Sequence, residues 1–563
     1  MTSIGTELVE RLSLESRGWT IDPETGEAKR LALASLVNLE PPAPVASVTY
    51  VSHGNVLIIA GHDSARARQC AASLASDLHV TLLDSGPARV DDAYAVWGGS
   101  VESLAGYLGE FVATFSKLDP GMAARGTRAK FDLVLDFSVP PLFEMHQPPQ
   151  GYHRAPADAA ALDAVLQELR ETVGEFEKPR FFAYRESLCA HERSSITGCN
   201  KCLEVCSTYA IAPDGDKIKV DPHLCMGCGT CATVCPSGAM GYQYPRPADR
   251  GAQLKQLLSA YRHAGGKDAC VLFHDGTKGR EALRLSADRG EGLAAHVIPL
   301  EAWNVAAIGP DLLLAAVAFG ASRVALLVTG SESADEVRAL EEQMAFAQTL
   351  VSAFGYAGKH FALVDSPSSA ALAVAPGSAT VAVPATYMVS NDKRTAIEFA
   401  VEHLARHAPQ PQQEIALAPG AAYGEVVVDA KKCTLCLACA GACPASALMD
   451  GGDQPMLRFL ERNCVQCGLC EKTCPEDAIT LNPRLLLTPA VRETRVLNET
   501  RPFHCVLCAK PFGTEQMVVT MLGRLAGHSM FSTEEARRRL QMCADCRVVD
   551  MMSNKNEASV LKL

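Results

Sequence analysis

The sequence is poor in aromatic residues: Phe, Trp and Tyr make up 6% of its 563 residues, and Trp occurs three times. Its cores must therefore be built from aliphatic side chains and alanine. Long apolar runs are missing as well. Stretches such as Leu312–Phe319 fall well short of the roughly 18–20 residues a membrane-spanning helix needs. Basic residues do not prevail. Lys and Arg number 52 against 64 Asp and Glu, for a net charge of −12, which argues against a chain-wide footprint for nucleic acid or an anionic membrane. The first ten residues, MTSIGTELVE, show no basic segment, apolar stretch or twin arginine of a secretory leader. The expectation is a soluble, cytoplasmic protein. Walker A, G-x-G-x-x-G and radical-SAM C-x3-C-x2-C patterns are absent too, and no Ser/His/Asp or Cys/His constellation can be argued from local spacing.

What the chain has is cysteine: 22 residues, all but Cys70 and Cys270 in or beside tight clusters. A disulfide scaffold would be short and secreted, whereas clustered cysteines in a long cytoplasmic chain read as metal ligands. Cys70 and Cys270 read as small core residues.

The remaining pattern sorts the chain into segments. Residues 1–45 read as a peripheral lead-in. Residues 46–180 form an N-terminal α/β domain: Val56–Ala60 and His79–Leu83 are strands flanking a helix over 64–78 with Ser64 as N-cap, and Phe131–Phe137 is a further strand. Its first turn, Ala60-Gly61-His62-Asp63-Ser64, has one glycine where a dinucleotide fingerprint needs three, so the domain reads as structural. The Pro-rich stretch Phe143–His153 reads as an ordered loop, or as an interaction loop. Residues 181–247 carry the first cysteine block. Residues 248–405 form a second α/β domain, with strands at Ala269–Phe273, His296–Leu300, Arg323–Val328 and His360–Val364. A capping box of Ser333 and Glu336 opens a helix placing Leu340, Met344, Ala347 and Val351 on one face. Strands alternating with helices predict a parallel, doubly wound sheet. Gly330-Ser331 is a weak candidate phosphate turn. Residues 406–422 read as a linker, 423–485 carry the second cysteine block, and 486–563 form a C-terminal CxxC…CxxC segment.

The second block reads Cys433-x2-Cys436-x2-Cys439-x3-Cys443-Pro444, then Cys464-x2-Cys467-x2-Cys470-x3-Cys474-Pro475. Two-residue gaps let three thiolates wrap one face of a cubane, and the fourth cysteine reaches the other cluster. One [4Fe–4S] cluster is thus assigned to Cys433, Cys436, Cys439 and Cys474, and another to Cys464, Cys467, Cys470 and Cys443. Small residues, Ala438 and Gly468, fit where backbone must approach the cluster. The first block ends regularly, with Cys225, Cys228, Cys231 and Cys235-Pro236, but begins Cys189-x9-Cys199-x2-Cys202-x3-Cys206, with Ser207 in place of proline. The crossed assignment is Cys189, Cys199, Cys202 and Cys235 for one cluster, and Cys225, Cys228, Cys231 and Cys206 for the other. Without Cys189 the former becomes a three-thiolate [3Fe–4S] site or takes another group, with His191 nearest. The inserted loop 190–198 would lie over that cluster, shielding it or meeting a partner. Four oxidised cubanes would bring the chain to about −20 and favour a partner with a basic docking face.

Cys505-x2-Cys508 and Cys543-x2-Cys546 form two knuckles suited to tetrahedral zinc; a fifth iron–sulfur cluster and a redox dithiol pair are the alternatives. A helix over Glu515–Leu525 and another capped by Ser532 with Glu535 would bring the pairs together, with His504 and His528 as bystanders.

These motifs resemble the two-cluster bacterial ferredoxins, and the whole layout is similar to bacterial polyferredoxin-type proteins, among them iron–sulfur proteins associated with formate dehydrogenase systems. The 248–405 domain vaguely resembles the small α/β subunit that couples hydrogenases to heterodisulfide reductases, without that family's cysteines. The resemblance implies electron transfer between protein redox partners, dehydrogenase or reductase subunits, in a chain without a catalytic site of its own. An enzyme with a flavin, nucleotide or substrate site in an α/β domain, and a maturation scaffold for a redox enzyme, are the competing readings. Whether the two ferredoxin modules touch is open at this level.

Overall fold

A parallel strand covered on both faces reads as an unbroken apolar run, and the chain has two sets of them. The computed structural model describes residues 23–40, 42–85, 93–116, 127–373, 377–452 and 454–553. In the first set, β1 (Asn55–Ile59), β2 (His79–Asp84), β3 (Ala95–Gly98), β4 (Leu133–Asp136) and β5 (Tyr152–Arg154) form a parallel sheet in the order β3-β2-β1-β4-β5. Helix α1 (Ser64–Leu74) and the helix Ala159–Glu171 cover one face. The N-cap of α1 is Asp63, whose side chain accepts from the Arg66 N–H; Ser64 is already helical, and its hydroxyl donates to Asp84. The other face is covered by an antiparallel sheet of Ser100–Ala105, Phe111–Ser116 and Arg128–Phe131, with Phe111, Phe115 and Phe131 packed on Leu57, Ile59 and Val134. The single strand expected over 131–137 is therefore two. Phe131 closes the antiparallel sheet. Asp132 turns the chain by accepting from the backbone of His53 and Asn55, and Leu133 starts β4.

The second set is β6 (Cys270–Asp275), β7 (Val297–Ala302), β8 (Arg323–Leu327) and β9 (Phe361–Val364), parallel in the order β7-β6-β8-β9. Val271 and Phe273 point into the largest core of the molecule, while Cys270 and Leu272 point into a smaller one with Leu283 on the opposite face. Helix α2 (Lys278–Asp288) follows β6, α3 (Pro310–Ala318) follows β7 and α4 (Ala334–Ala353) follows β8. The capping box of Ser333 and Glu336 is formed, and Leu340, Met344, Ala347 and Val351 are the buried face of α4. Helix α5 (Lys393–Arg406) closes this layer. The fold is mixed α/β.

Two peripheral segments are more integrated than expected. Residues 1–22 of the lead-in lie outside the described residues, but Pro23–Ser35 is a helix that buries Ala28, Lys29 and Ala32 completely, the two alanines in the largest core. Burial lowers the Lys29 ammonium to about 7. In the expected linker 406–422, Glu414–Ala416 is a strand paired antiparallel with Arg484–Leu486.

Each cysteine block is framed by antiparallel pairs. Phe182–Tyr184 pairs with Met240–Tyr242 and Ile211–Asp214 with Lys217–Val220 in the first. Gly424–Val428 pairs with Ile479–Pro483, and Leu448–Asp450 pairs with Leu457–Phe459, in the second.

His274 on β6 and His360 before β9 are buried, and desolvation lowers both pKa values despite backbone hydrogen bonds that favour the charged form. Each folded-state pKa thus lies below the unfolded one of about 6.5, so the unfolded chain takes up protons first as pH falls. Stability from this source is complete above about pH 6.5 and declines below it. Thermal melting at pH 8, 6.5 and 5 should show that loss, and His360→Gln, which keeps a donor for the Ala379 carbonyl, should reduce it.

Candidate metal centres

None of the 22 cysteines is in a disulfide. In the second block, Cys433, Cys436, Cys439 and Cys474 line one cavity, walled by Leu435, Leu457 and Ile479. Cys443, Cys464, Cys467 and Cys470 line another, walled by Val426 and Leu448. In the first block, Cys206, Cys225, Cys228 and Cys231 line a third with Phe181, Ile211 and Tyr242. Each cavity gathers three cysteines from one motif and one from the other, as the crossed pattern requires. Cys189, Cys199, Cys202 and Cys235 form the fourth neighbourhood: burial raises the Cys199 and Cys202 thiols, and the charges of Cys235 and Cys189 raise them further.

The local backbone explains how such short segments hold these positions. Gly227 and Gly229, Leu435 and Leu437, and Gln466 and Gly468 all have positive φ on either side of the middle cysteine. Alternating the hand of successive residues turns their N–H groups into a concave nest for a negatively charged group. Leu435 and Leu437 accept a conformation costing roughly 1–2 kcal/mol for an L-residue. Ala438 instead opens the short helix 438–442. Three residues after the last cysteine of each motif the hand reverses again, at Tyr209, Gly238, Ser446 and Asp477. That turn aims N–H groups back at sulfur: Met240 donates to Cys235 Sγ (3.4 Å), Ala447 to Cys443 Sγ (3.3 Å) and Ala478 to Cys474 Sγ (3.4 Å).

The irregular half of the first block has its own logic. Cys189 is buried and follows the single turn Glu186–Leu188. The insertion is a hairpin, Glu192–Arg193 paired with Ile196–Thr197 across Ser194 and Ser195, both at positive φ as a two-residue turn demands. His191 is buried and its Nδ1 lies 3.2 Å from the Cys199 carbonyl, so it braces the backbone of this set. Ser207, which stands where proline was expected, donates to Glu336 Oε1 (2.7 Å), while Glu336 Oε2 accepts from the Ser333 N–H. The departure from the motif is thus a tie between the cysteine block and the cap of α4.

Cys505, Cys508, Cys543 and Cys546 place their sulfurs within 4.8 Å of one another, with Cys508 and Cys543 3.7 Å apart. A tetrahedral ion with metal–sulfur bonds of about 2.3 Å separates its ligands by about 3.8 Å. A cubane, with an iron at each of four corners, spreads its thiolates farther apart, so this geometry suits a single ion. Desolvation acts to raise the Cys505 thiol, but the N–H groups of Cys508, Cys543 and Leu507 outweigh it and bring it down to about 6. Cys546 sits on the helix Ala544–Ser553. The helix Glu515–Leu525 is present; the second is capped by Thr533 rather than Ser532 and runs Glu534–Arg539.

The sites that sequence reading left as secondary are filled by the protein itself. A Cβ on Gly61 would meet the Phe137 carbonyl at 2.4 Å, so the β1–α1 turn is packed against the next strand's end. At the corresponding end of β6, the Asp275 carboxylate accepts from Gly279 and Thr277 N–H groups at the start of α2 and from the Thr329 hydroxyl. It occupies the seat a phosphate would take. Beside it, the Gly330-Ser331 turn is held by Lys278 and, from the loop 143–153, by His146 and Gln147 on the Ser331 carbonyl. That loop is an ordered clasp between the two α/β layers.

The 4Fe-4S dicluster domain family matches residues 197–239 and again residues 432–479, the first match beginning after Cys189. Among curated relatives, hydrogenase-4 component A of Escherichia coli (strain K12) is 32% identical over 96 residues, 16% of this chain and 44% of that protein. The indolepyruvate oxidoreductase subunit IorA of Pyrococcus horikoshii is 51% identical over 45 residues, 8% of this chain and 7% of its own length. The chain thus spans under half of these two relatives. A ferredoxin of Alicyclobacillus acidocaldarius is 31% identical over 62 residues, 11% of this chain but 80% of the ferredoxin. No helix among the described residues is long and apolar enough to cross a membrane. With two dicluster matches falling on cysteine sets already grouped by the fold, and a ferredoxin relative covered over 80% of its length, the chain belongs to the 4Fe–4S ferredoxin family.

Proposed function

We propose that the chain carries single electrons between protein redox partners through four [4Fe–4S] centres, and holds one structural zinc at its C-terminal knuckles. The ligand sets are Cys189, Cys199, Cys202 and Cys235; Cys206, Cys225, Cys228 and Cys231; Cys433, Cys436, Cys439 and Cys474; and Cys443, Cys464, Cys467 and Cys470. The observation that carries this reading is that three cavities are each lined by one complete crossed set. A bound cluster supplies reversible one-electron chemistry. The chain's own residues set its terms. N–H groups of Met240, Ala447 and Ala478 donate to ligand sulfurs, which favours the more negative state. Apolar walls limit the water that reaches the thiolates, with Cys436 the exposed one in the second module. Lys178 donates to the Cys225 carbonyl (2.8 Å) and places a cation beside that set.

Helices on both faces of the β7-β6-β8-β9 sheet support a doubly wound reading of that domain. Its role here is architectural: Asp275 fills the phosphate seat, which disfavours the enzyme reading. The names of the relatives, a hydrogenase component and an oxidoreductase subunit, favour a partner of that class, and a formate dehydrogenase is one member of it.

Iron, acid-labile sulfide and zinc per chain, measured on protein purified without oxygen, test this. About 16 iron, 16 sulfide and one zinc are expected. About 20 iron without zinc would make the knuckles a fifth cluster, and fewer than about 12 iron would remove the relay and favour the scaffold reading.

A further inference from the structure

The two ferredoxin modules are separated by about 200 residues of chain, yet they meet, and they meet at their ligands. Thr197 and Gly198 end the inserted hairpin immediately before Cys199. The Thr197 carbonyl accepts from Lys472 Nζ at 2.7 Å. A Cβ on Gly198 would meet the Ala190 carbonyl at 2.5 Å and Leu469 Cγ at 2.7 Å, so the glycine both closes the hairpin on itself and lets it approach the helix Leu469–Thr473 that carries Cys470. Leu469 itself is completely buried. On the other side of this contact, the start of α5 holds both modules at once. Lys393 Nζ donates to the carbonyls of Ala232, Thr233 and Cys235 at the end of the helix Thr230–Val234. Arg394 donates through Nη1 to the Pro236 carbonyl (3.2 Å) and through Nη2 to those of Arg462 (2.9 Å) and Cys464 (3.1 Å). Its guanidinium lies over Tyr423, 4.4 Å from the ring centre, which fixes its plane. Lys201, next to Cys202, reaches the Gly420 carbonyl (2.7 Å) just ahead of the second module.

The residues in these contacts belong to particular sets. Cys199 and Cys235 come from one set of the first module; Cys464, Cys467 and Cys470 come from one set of the second. No cysteine of the remaining two sets bonds across the junction, although Cys231 lies on the helix Thr230–Val234 that Lys393 caps. Within the first module the two short helices bearing ligands of both sets pack together, and so do those of the second.

We propose that the hairpin 190–198 and the Lys393–Arg394 pair are a junction that joins the two modules into one four-centre path, with the Cys189/199/202/235 set beside the Cys443/464/467/470 set. The Cys206/225/228/231 and Cys433/436/439/474 sets are then the two ends of that path. This rests on the four-cluster reading above. It gives the departure from the ferredoxin motif a purpose: the seven extra residues before Cys199 supply the hairpin that the second module's helix receives, and a regular motif has nothing to offer there.

The junction is tested on the full holo-chain by electron paramagnetic resonance during stepwise dithionite reduction. Interaction between paramagnetic centres falls steeply with distance, so adjacency is readable without any turnover. In the wild-type chain, line broadening and fast relaxation should exceed what two independent two-cluster pairs produce. In the Arg394→Ala/Lys472→Ala variant, with iron unchanged, the spectrum should reduce to two independent pairs. Lys201→Ala/Lys472→Ala, which removes two exposed ties between the modules, provides a second route to the same loss should the first variant fold poorly. A wild-type spectrum that already equals two independent pairs, or inter-module coupling retained in both variants at full iron, would overturn the junction while leaving the carrier reading intact. Iron far below about 16 per chain in the wild type would instead remove the carrier reading, and the junction with it.

Discussion

Replacing Cys543 with serine should empty the C-terminal site and unfold the segment around it. Little else holds that segment together. Its apolar cluster at the knuckles is Cys505, Met542 and Cys543, with Phe512 and Cys546 at the edge, so the ligands make up most of that cluster, and only Val518 and Leu540 are buried apolar residues beside it among the described residues of the segment. A single structural ion in such a setting supplies on the order of 10–16 kcal/mol of folding free energy at neutral pH. Losing one of four thiolates forfeits much of that. Zinc should fall from about one per chain to none, and limited proteolysis should cut between residues 505 and 553 where the wild type resists. The consequence should reach the second module. The segment covers the Cys433 set: Thr514 donates to the Thr434 carbonyl (2.7 Å) and Gln516 to that of Ala430 (3.1 Å), while Arg524 pairs with Glu476 beside Cys474. With that cover undone, iron release in air should begin at this set, and the variant should lose its first irons faster than the wild type. Zinc retained at one per chain with unchanged protease resistance would show that Cys543 is not a ligand. Cys70→Ser, far from any metal site in the core beneath α1, serves as the control and should leave zinc untouched.

The parts of this molecule that were legible in its sequence are those where the ligand or the layer writes directly on neighbouring residues. The regular cysteine motifs belong to this group, because three thiolates on one face of a cluster fix their spacing within a few residues. So do the apolar runs of β1, β6 and β8 and the capping box at Ser333 and Glu336, all of them local. Helix caps slipped by one residue, to Asp63 from Ser64 and to Thr533 from Ser532, because both neighbours can cap and the choice is made by what the other hydroxyl can reach. The antiparallel sheet 100–131 left little trace: its outer strand Ser100–Ala105 has no buried residue, so no alternation marks it. Ser207 could not be understood without Glu336, 129 positions away, nor Glu414–Ala416 without the strand ending at Leu486. The Ser194-Ser195 turn is weaker still as a signal, since serine is not among the residues that favour positive φ. Chain separation hid the contact between modules for the same reason: Thr197 and Lys472 are 275 positions apart.

Replacing Arg484 with methionine should be the most damaging change to the second module that touches no cysteine. Arg484 lies on the strand Ile479–Leu486 and donates to both oxygens of Glu461 (2.8 Å each) and to Glu414 (2.9 Å), with Glu425 also 2.9 Å away. Glu461 is the consequential partner: its side chain is 5% exposed, and it opens the single turn that ends at Cys464. Removing the arginine leaves a buried carboxylate with Arg495 alone, 3.2 Å away and partly engaged by Glu425. Breaking a buried pair from one side costs about 3–5 kcal/mol, and the remaining arginine argues for the lower end, about 3 kcal/mol. Calorimetry should resolve this as an earlier transition for the second module, with the layers around β1 and β6 melting as before. The informative comparison is the double variant Arg484→Met/Glu461→Gln. If the cost lies in the stranded charge, neutralising Glu461 should recover a substantial part of the loss, as one partner's removal then no longer leaves an ion buried. If instead Arg484 acts by packing its stem against the strand, single and double variants should melt together, and the electrostatic account of this cluster of charges would fail.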